Sequence, residues 1–281
     1  MPDPSHDYLT LLLDRYWFAP PVALWRAIEL RTLAAETFPR PILDVGCGDG
    51  LIAQALFRHD PPIEVGFDPW ADQVRKAPET GVYAAVQQAV GHAMPYADGA
   101  FGSVLSNSVL EHIPDLDPVL AEVARVVRPG GRVLFTVPSD AFRTLLAGYR
   151  QRAAAGDRAG AEAYAAGIDA WLSHYRYPAP GEWDAMLSRV GLQLVRTTYY
   201  VPAEAMTLWD RGNATYGVHP GVGLPFFRWL ASPRLRGLGY QRWVRPWVTR
   251  KLSRRWRTAY DMDVPAGEVG GGLLVVGEKV G

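Results

Sequence analysis

Nine residues, ILDVGCGDG at positions 42–50, carry the clearest indication of how this chain folds. The first four are typical of a buried β-strand, which runs into three glycines at alternate positions, Gly46, Gly48 and Gly50. A helical pattern follows at 51–58. Glycines at a strand-to-helix turn let backbone N–H groups approach a bound nucleotide without a clash from a Cβ. We expect this turn at the carboxyl end of a strand in an α/β sheet, where such folds bind ligands.

Strand and helix patterns alternate downstream of the turn. The predicted strands are 42–45, 63–67, 84–86, 103–107 and 132–137, and the predicted helices between them are 51–58, 70–77 and 116–127. A helix at 183–189, a strand at 192–201 and a final strand at 272–279 complete the pattern, and residues 129–131 (PGG) predict a tight turn before strand 132–137. This alternation favours a parallel sheet covered by helices on both faces.

Asp68 ends the second predicted strand, eighteen residues after Gly50. An acid at about this spacing accepts hydrogen bonds from the two ribose hydroxyls of a nucleotide. The alternative is a cap on the following helix, with Pro69 at its first position.

Five blocks in this order resemble the class I S-adenosylmethionine-dependent methyltransferases, especially their type 11 group. The blocks are LDVGCGDG (43–50), GFD (66–68), AMPYADGAF (93–101), SNSVLEHI (106–113) and EVARVVRPGG (122–131). The resemblance implies a Rossmann-like, doubly wound, seven-stranded and mostly parallel sheet with helical cap insertions. It also implies S-adenosylmethionine as the cofactor and S-adenosylhomocysteine as its product. A dinucleotide oxidoreductase would share the first two blocks only.

The same resemblance implies roles for individual residues. Those around the methionine part and ribose of the cofactor would be Asp44, Gly46, Cys47, Gly48 and Gly50, with Asp68 and Pro69 at the ribose. Those beside the adenine would be His92, Ala93 and Met94, and those facing the reaction centre would be Asn107, Ser108 and Val109. Two positions depart from the family pattern, since an acid often stands at 92 and an aspartate at 102, where this chain has His92 and Gly102.

Two histidines are candidates for the base that would take the proton of a hydroxyl acceptor. His112 follows the fourth predicted strand, and His174 precedes the helix at 183–189. The alternative for His112 is a loop histidine that hydrogen-bonds the backbone. The alternative for His174 is a histidine that packs in an aromatic cluster. Glu111 and His112 could both ligate a metal ion, but no other cluster of metal-ligating residues is evident in the sequence, so we predict no metal site.

The charge distribution is uneven. Residues 211–260 contain eleven Arg or Lys and no Asp or Glu, which leaves 18 bases against 29 acids in the remainder. Such a split is typical of proteins in which one part of the chain binds a polyanion or a membrane surface. The single cysteine, Cys47, excludes an intrachain disulfide and favours a reducing compartment. Because no secretion signal is recognisable, we expect a cytoplasmic protein, with peripheral membrane attachment as a further option.

A basic, aromatic helix is predicted over 240–260. Apolar residues form one helical face, and bases fill the rest. The face consists of Trp243, Val244, Trp247, Val248, Leu252, Trp256 and Ala259. Four interpretations remain open. The tryptophans pack on the core of the protein, or they lie in an anionic membrane surface. Alternatively the bases contact nucleic acid, although no nucleic-acid-binding module is recognisable, or they bind an acidic protein partner.

The sequence thus predicts one core with insertions. The segments are N-terminal helices at 1–39, a cofactor-binding core at 40–140, a helical cap insertion at 141–180, core again at 181–203, a basic aromatic insertion at 204–262 and a final core strand at 263–281. The predicted activity is O-methylation of a small or lipid-like acceptor. The alternatives are a nucleic-acid methyltransferase and a non-catalytic protein of the same fold that binds a membrane or a partner. The sequence names neither the acceptor nor the oligomeric state.

Overall fold

The computed structural model describes residues 7–217, 224, 229, 232 and 239–281. These residues form two compact units. The sheet unit comprises Leu33–Asp140, Asp169–Tyr199 and Gly272–Gly281. The helical unit comprises the described residues of Met1–Thr32, Ala141–Ile168 and Tyr200–Gly271. The segment boundaries inferred from the sequence stay predictions.

Within the described residues the sheet has seven strands, in the order β3-β2-β1-β4-β5-β7-β6. They are β1 (Ile42–Val45), β2 (Ile63–Asp68), β3 (Tyr83–Gln88), β4 (Phe101–Asn107), β5 (Val127–Pro138), β6 (Leu192–Tyr200) and β7 (Gly272–Lys279). The pairs among β1 to β5 are parallel, and β7 pairs antiparallel with β5. The strand order reverses between β1 and β4, and such a switch point opens a crevice for ligands at the carboxyl ends of the strands. The predicted fold class is confirmed.

The helices of the sheet unit follow the predicted alternation. They are α3 (Leu51–Leu56), α4 (Ala71–Lys76), α5 (Asp117–Val126) and α9 (Pro180–Arg189), with a 3₁₀ turn at Leu110–His112. The elements α1 (Tyr8–Arg15), α2 (Pro20–Leu33), α6 (Phe142–Leu145), α7 (Ala147–Ala154), α8 (Arg158–Leu172), α10 (Ala203–Tyr216) and α11 (Gln241–Asp261) make up most of the remaining described helices.

One predicted boundary is wrong. The turn expected at 129–131 is absorbed into β5, which begins at Val127 and pairs with Phe101 before a register shift. Gly130 has φ +70° and Gly131 lies against the carbonyl of Gly102, so the two glycines form an irregularity inside the strand instead of ending the helix in a free turn. A β-bulge of this kind needs residues without a Cβ clash.

The core of the sheet unit lies between the sheet and the helices α5 and α9. Leu120 and Val123 of α5, and Trp183 and Leu187 of α9, are fully buried together with Phe135 of β5. Each such side chain contributes on the order of 2 kcal/mol by leaving water. This packing fixes the sheet, and therefore the positions of the loops at its edge.

The helical unit has its own core. Trp25 of α2 contacts Phe142, Tyr200 and Trp209 through ring pairs with centroids 5.8–6.0 Å apart. The buried carboxylate of Glu29 accepts hydrogen bonds from Tyr200 and Arg26, which compensates its lost hydration. No described helix combines the length and the apolar character needed to cross a membrane.

Candidate functional site

The glycine turn predicted from the sequence lies between β1 and α3. Gly46, Gly48 and Gly50 all have positive φ, at +75°, +54° and +77°. Residues other than glycine rarely adopt positive φ, so the backbone conformation of this turn requires glycine at the three alternate positions. The N–H groups of Gly46 and Cys47 both donate to the carbonyl of Phe67 at 2.9 Å. The turn is therefore fastened to the end of β2.

The surroundings of the three glycines differ. A Cβ at Gly46 would lie 2.6 Å from Val109, and one at Gly50 would lie 3.0 Å from Thr80. A Cβ at Gly48 would have no atom within 4 Å. The turn is thus packed at its two ends and open at Gly48, which leaves room for a ligand against the backbone at that residue.

Asp68, the last residue of β2, is buried and faces this opening. Its Oδ2 accepts from the N–H of Gly48 at 3.0 Å, and its Oδ1 accepts from the N–H of Trp70 at 2.9 Å. Each carboxylate oxygen can accept a further hydrogen bond. The alternative of a helix cap with Pro69 at the first helical position is wrong, since α4 begins at Ala71 with Trp70 as its N-cap and no side chain caps it. The ribose-binding role of Asp68 stays a prediction. Pro69, the next residue, is exposed.

Asp44 lies on β1, two residues before Gly46, and is buried. Tyr83 of β3 donates to its Oδ2 at 2.6 Å. Burial raises the pKa of Asp44 to about 6 because the charged carboxylate loses hydration, and the nearby Asp68 adds repulsion in the same direction.

Burial also raises the pKa of the Cys47 thiol well above its usual range, with further contributions from Asp44 and Asp68. A thiol nucleophile needs the opposite shift. Cys47 therefore serves the turn through its backbone and its small side chain.

The end of β4 supplies a third side of the site. The amide of Asn107 donates to the hydroxyl of Thr136 on β5 at 2.9 Å. Ser108 has a positive φ of +50°, and its N–H donates to the carbonyl of Thr136 at 2.9 Å. A non-glycine residue held in this conformation costs free energy, and the neighbouring strand enforces it. The result turns the chain so that Val109 packs on Gly46.

The three residues predicted beside the adenine lie in different environments. His92 and Ala93 are exposed, whereas Met94 is buried in the core of the sheet unit. The N–H of Met94 donates to Glu122, and Arg125 donates to the carbonyls of Met94 and Tyr96. A Glu–Arg pair on α5 thus holds the backbone of the loop after β3, which leaves His92 and Ala93 as its exposed part.

The structure brings the two candidate histidines together. The ring centroids of His112 and His174 are 5.1 Å apart. The N–H of Tyr175 donates to the carbonyl of Glu111 at 2.9 Å, which fastens the segment after α8 to the turn after β4. Nδ1 of His112 lies 3.2 Å from the carbonyl of Ser173, and Nδ1 of His174 lies 3.0 Å from the hydroxyl of Tyr177.

Sequence reasoning missed several residues of this region. Tyr83, Tyr177 and Thr136 orient the predicted residues through hydrogen bonds across the sheet or between loops, and no local pattern marks such partners. Trp70 is different, because it directly follows Asp68 and Pro69 and is 72% exposed. Its position next to a predicted ribose-binding acid is visible in the sequence, so this residue could have been included among the predicted site residues.

The basic aromatic helix is confirmed as α11, but the expected single apolar face is wrong, because at about 100° per residue Trp243 and Trp247 lie roughly opposite Trp256. Leu252, Trp256 and Ala259 are buried in the helical unit, where α11 packs on α1. Trp243 and Trp247, nearer the start of the helix, are 76% and 53% exposed. Packing on the protein's own core therefore accounts for the side of α11 that carries Leu252, Trp256 and Ala259, and not for the side that carries the two exposed tryptophans.

Comparisons with known proteins place residues 43–135 in a family described as methyltransferase domain. A protein named "Uncharacterized methyltransferase" from Mycobacterium sp. (strain KMS) is 37% identical over 164 residues, which cover 56% of this chain and 61% of that protein. A ubiquinone biosynthesis O-methyltransferase of Escherichia coli O127:H6 is 36% identical over 108 residues, which cover 37% of this chain and 45% of that protein. The chain thus spans less than two thirds of the length of these curated relatives.

Solved structures show the same fold. The [4+2]-cyclase SpnF matches 91% of this chain and 82% of its own with a TM-score of 0.54 and 19% identity. The geranyl diphosphate C-methyltransferase of Streptomyces coelicolor A3(2), solved with S-adenosyl-L-homocysteine, matches 90% of this chain and 77% of its own with a TM-score of 0.50 and 14% identity. At these identities the similarity concerns the fold alone.

Proposed function

We propose that this chain, whose residues 43–135 match the methyltransferase-domain family, is a class I S-adenosylmethionine-dependent methyltransferase that transfers a methyl group to a hydroxyl of a small or lipid-like acceptor. The observation that carries the proposal is the open backbone at Gly48 beside the buried carboxylate of Asp68. The similarity to the E. coli O-methyltransferase, over 45% of that protein, supports a hydroxyl acceptor.

The residues around the turn suit an adenosyl cofactor. The proposed role of Asp68 is to accept hydrogen bonds from both ribose hydroxyls, for which its two backbone contacts orient it. Gly46, Cys47, Gly48 and Gly50 would offer backbone at contact distance, with Asp44 beside the methionine part. Asn107, Ser108 and Val109 would face the reaction centre.

The cofactor supplies an electrophilic methyl group when it is bound. The contribution of this chain is to hold donor and acceptor in line at contact distance, which can provide much of the rate enhancement. A hydroxyl acceptor must also lose its proton. We assign that step to the pair His112 and His174, whose outer ring nitrogens are oriented by hydrogen bonds at Nδ1.

Binding of S-adenosylhomocysteine, measured by calorimetry, tests the cofactor site. We expect Asp68→Ala to weaken binding roughly tenfold or more, because hydrogen bonds to a charged group are lost. Asp72→Ala is the matched control, since Asp72 is an exposed acid on α4 paired with Arg75. Absence of binding by folded wild-type protein, or equal effects of the two variants, would contradict the proposal.

Methylation of a panel of phenols, catechols and isoprenoid or fatty-acyl alcohols tests the acceptor. The expected product is an O-methyl ether that forms only with S-adenosylmethionine and depends on His174. Transfer to nitrogen or carbon, or to nucleic acid with a steep salt dependence, would overturn the O-methyl assignment.

We further propose that α11 places the protein on an anionic membrane surface. Trp243 and Trp247 are exposed, and Lys251 lies over the Trp247 ring with Nζ 4.7 Å from its centroid. A cavity of about 200 Å³ in the helical unit is lined by Trp17, Trp247 and Leu252, with Lys251 and Arg255 among its lining residues. Tryptophan suits the headgroup zone, and each base near an anionic surface contributes about 1 kcal/mol.

Flotation with phosphatidylcholine vesicles, with and without phosphatidylglycerol, tests this attachment. We expect binding only to the anionic vesicles, and loss of binding in Trp243→Ala/Trp247→Ala. Trp70→Ala, which removes an exposed tryptophan of the sheet unit, is the control. Equal binding to both kinds of vesicle, or no binding by the wild-type protein, would contradict the proposal.

A further inference from the structure

Three metal-ligating side chains meet beside the end of β4. Glu111, His112 and His174 each offer one donor atom, and these atoms lie within 4.8 Å of one another. Nε2 of His112 is 3.8 Å from Oε1 of Glu111. Ligands that share one ion at about 2.1 Å are about 3 to 4 Å apart, so the three donors need to move by about 1 Å or less to share one. His174 is separated from the other two by more than sixty residues, which is why the sequence predicted no metal here.

The hydrogen bonds at Nδ1 fix the tautomers of His112 and His174. The carbonyl of Ser173 can only accept, so Nδ1 of His112 carries the proton. The hydroxyl of Tyr177 donates its proton to Asp169 at 2.5 Å and therefore accepts from Nδ1 of His174. In both rings the lone pair then lies on Nε2.

This arrangement is the one that metal-binding histidines require. A ligating imidazole donates its second N–H to a carbonyl, a carboxylate or a similar acceptor, which sets its tautomer and raises its basicity. His112 donates to a backbone carbonyl, and His174 donates to a tyrosine that is itself bonded to a carboxylate. Both imidazole rings thus already have an acceptor for the N–H group that would not bind the metal.

The three side chains differ in exposure, so the cluster that they form is closed to solvent on one side and open on the other. Glu111 is 3% exposed, His174 is partly buried and His112 is exposed. A carboxylate at a buried position is stabilised by a cation close to it. The open side leaves coordination positions for water or for an oxygen of a substrate.

We propose that Glu111, His112 and His174 form a binding site for one divalent transition-metal ion. Two imidazoles and one carboxylate suit zinc, iron(II) or nickel better than magnesium or calcium, which prefer oxygen ligands. The site needs no cofactor or acceptor to form, so the proposal of metal binding is independent of the methyl transfer proposed above.

The consequence for the reaction does rest on that proposed function. A hydroxyl oxygen bound to a metal ion loses its proton at a lower pH than a free hydroxyl does. The ion would therefore replace the histidine pair as the means of activating the acceptor, since its ligands use the same Nε2 atoms that a base would use.

Calorimetric titration of ZnCl₂ into chelator-treated full-length protein tests the site. We expect one ion per chain, and loss of that binding in His112→Ala and in His174→Ala. Tyr177→Phe should weaken binding roughly 10- to 100-fold, because His174 loses its orienting acceptor. His59→Ala, which removes an exposed histidine after α3, should bind zinc as the wild type does. Substitution with Co²⁺ gives a visible absorption band that should disappear in the same two alanine variants.

Two results would overturn the proposal. One is the absence of stoichiometric zinc binding by folded wild-type protein, and the other is binding that survives His112→Ala/His174→Ala. Binding of S-adenosylhomocysteine, measured on the same preparation, separates the failure of the metal site from failure of the cofactor site. Once an acceptor is known, methyl transfer that is lost with chelator and restored by metal would assign the activation to the ion, whereas chelator-resistant transfer would assign it to the histidines alone.

Discussion

The hydroxyl of Tyr83 donates a 2.6 Å hydrogen bond to Oδ2 of Asp44, and both side chains are buried under the glycine turn. The Tyr83 ring also occupies the space that a Cβ at Gly50 or Gly66 would need, at 3.1 and 2.8 Å. One residue of β3 therefore both packs the turn and supplies a hydrogen bond to the acid beneath it. That bond only partly offsets the loss of hydration, since the pKa of Asp44 stays raised to about 6.

The raised pKa of Asp44 predicts a pH-dependent cost to folding. In the unfolded chain the carboxyl loses its proton near its ordinary pKa, whereas in the folded chain it does so near 6. The stability from this group is therefore fully present below about pH 4 and falls as pH rises to about 6. A shift of this size corresponds to on the order of 2–3 kcal/mol. Denaturant unfolding of Asp44→Asn should show the variant gaining stability over wild type across that interval. A constant difference between pH 4 and 7 would contradict the prediction.

Gly48 and Gly81 form a matched pair for testing the turn. Both have positive φ, and a Cβ at either position would meet no atom within 4 Å. Alanine should therefore cost each position about 1–2 kcal/mol of unfolding free energy, from backbone strain alone. Only Gly48→Ala should abolish binding of S-adenosylhomocysteine, because only there would the methyl group fill the proposed cofactor space. Equal binding by the two variants would show that the opening at Gly48 is not the cofactor site.

Cys47 should resist alkylation. Burial holds the pKa of its thiol well above the usual range, so the reactive thiolate is scarce at neutral pH. We expect iodoacetamide at pH 8 to modify the folded protein far more slowly than the denatured protein, as followed by mass spectrometry. Cys47→Ala should keep cofactor binding, since the contribution of this residue is its backbone. Rapid labelling of the folded protein would refute the assignment.

The Arg125 side chain should order the loop after β3. It donates to the carbonyls of Met94 and Tyr96 and pairs with Asp98 and Glu122. Arg125→Ala should speed amide hydrogen exchange at 94–98 and weaken S-adenosylhomocysteine binding, with little change elsewhere in the sheet. Arg75→Ala, which removes an exposed arginine paired with Asp72 on α4, is the control. Uniformly faster exchange across the sheet unit would indicate general destabilisation instead.

The sequence by itself determined the elements around the glycine turn. Positive φ at Gly46, Gly48 and Gly50 is a property of single residues, and strand periodicity is a property of neighbours, so both can be recognised without knowing what packs on them. The strands β1 and β7 were predicted with the bounds observed. The boundary of β5 was predicted wrongly, because pairing with β4 extends the strand through glycines that locally favour a turn.

The tertiary structure alone decided which distant residues meet. Helical period alone places Trp243 and Trp247 roughly opposite Trp256 around α11, but only the packing of α11 against α1 determined which of the two sides is buried and which is exposed. Likewise, nothing in the local pattern around His112 predicts that His174 lies 5.1 Å away. Contacts between residues far apart in the chain depend on how whole elements pack, whereas local motifs depend on backbone conformation and on the spacing of neighbouring residues.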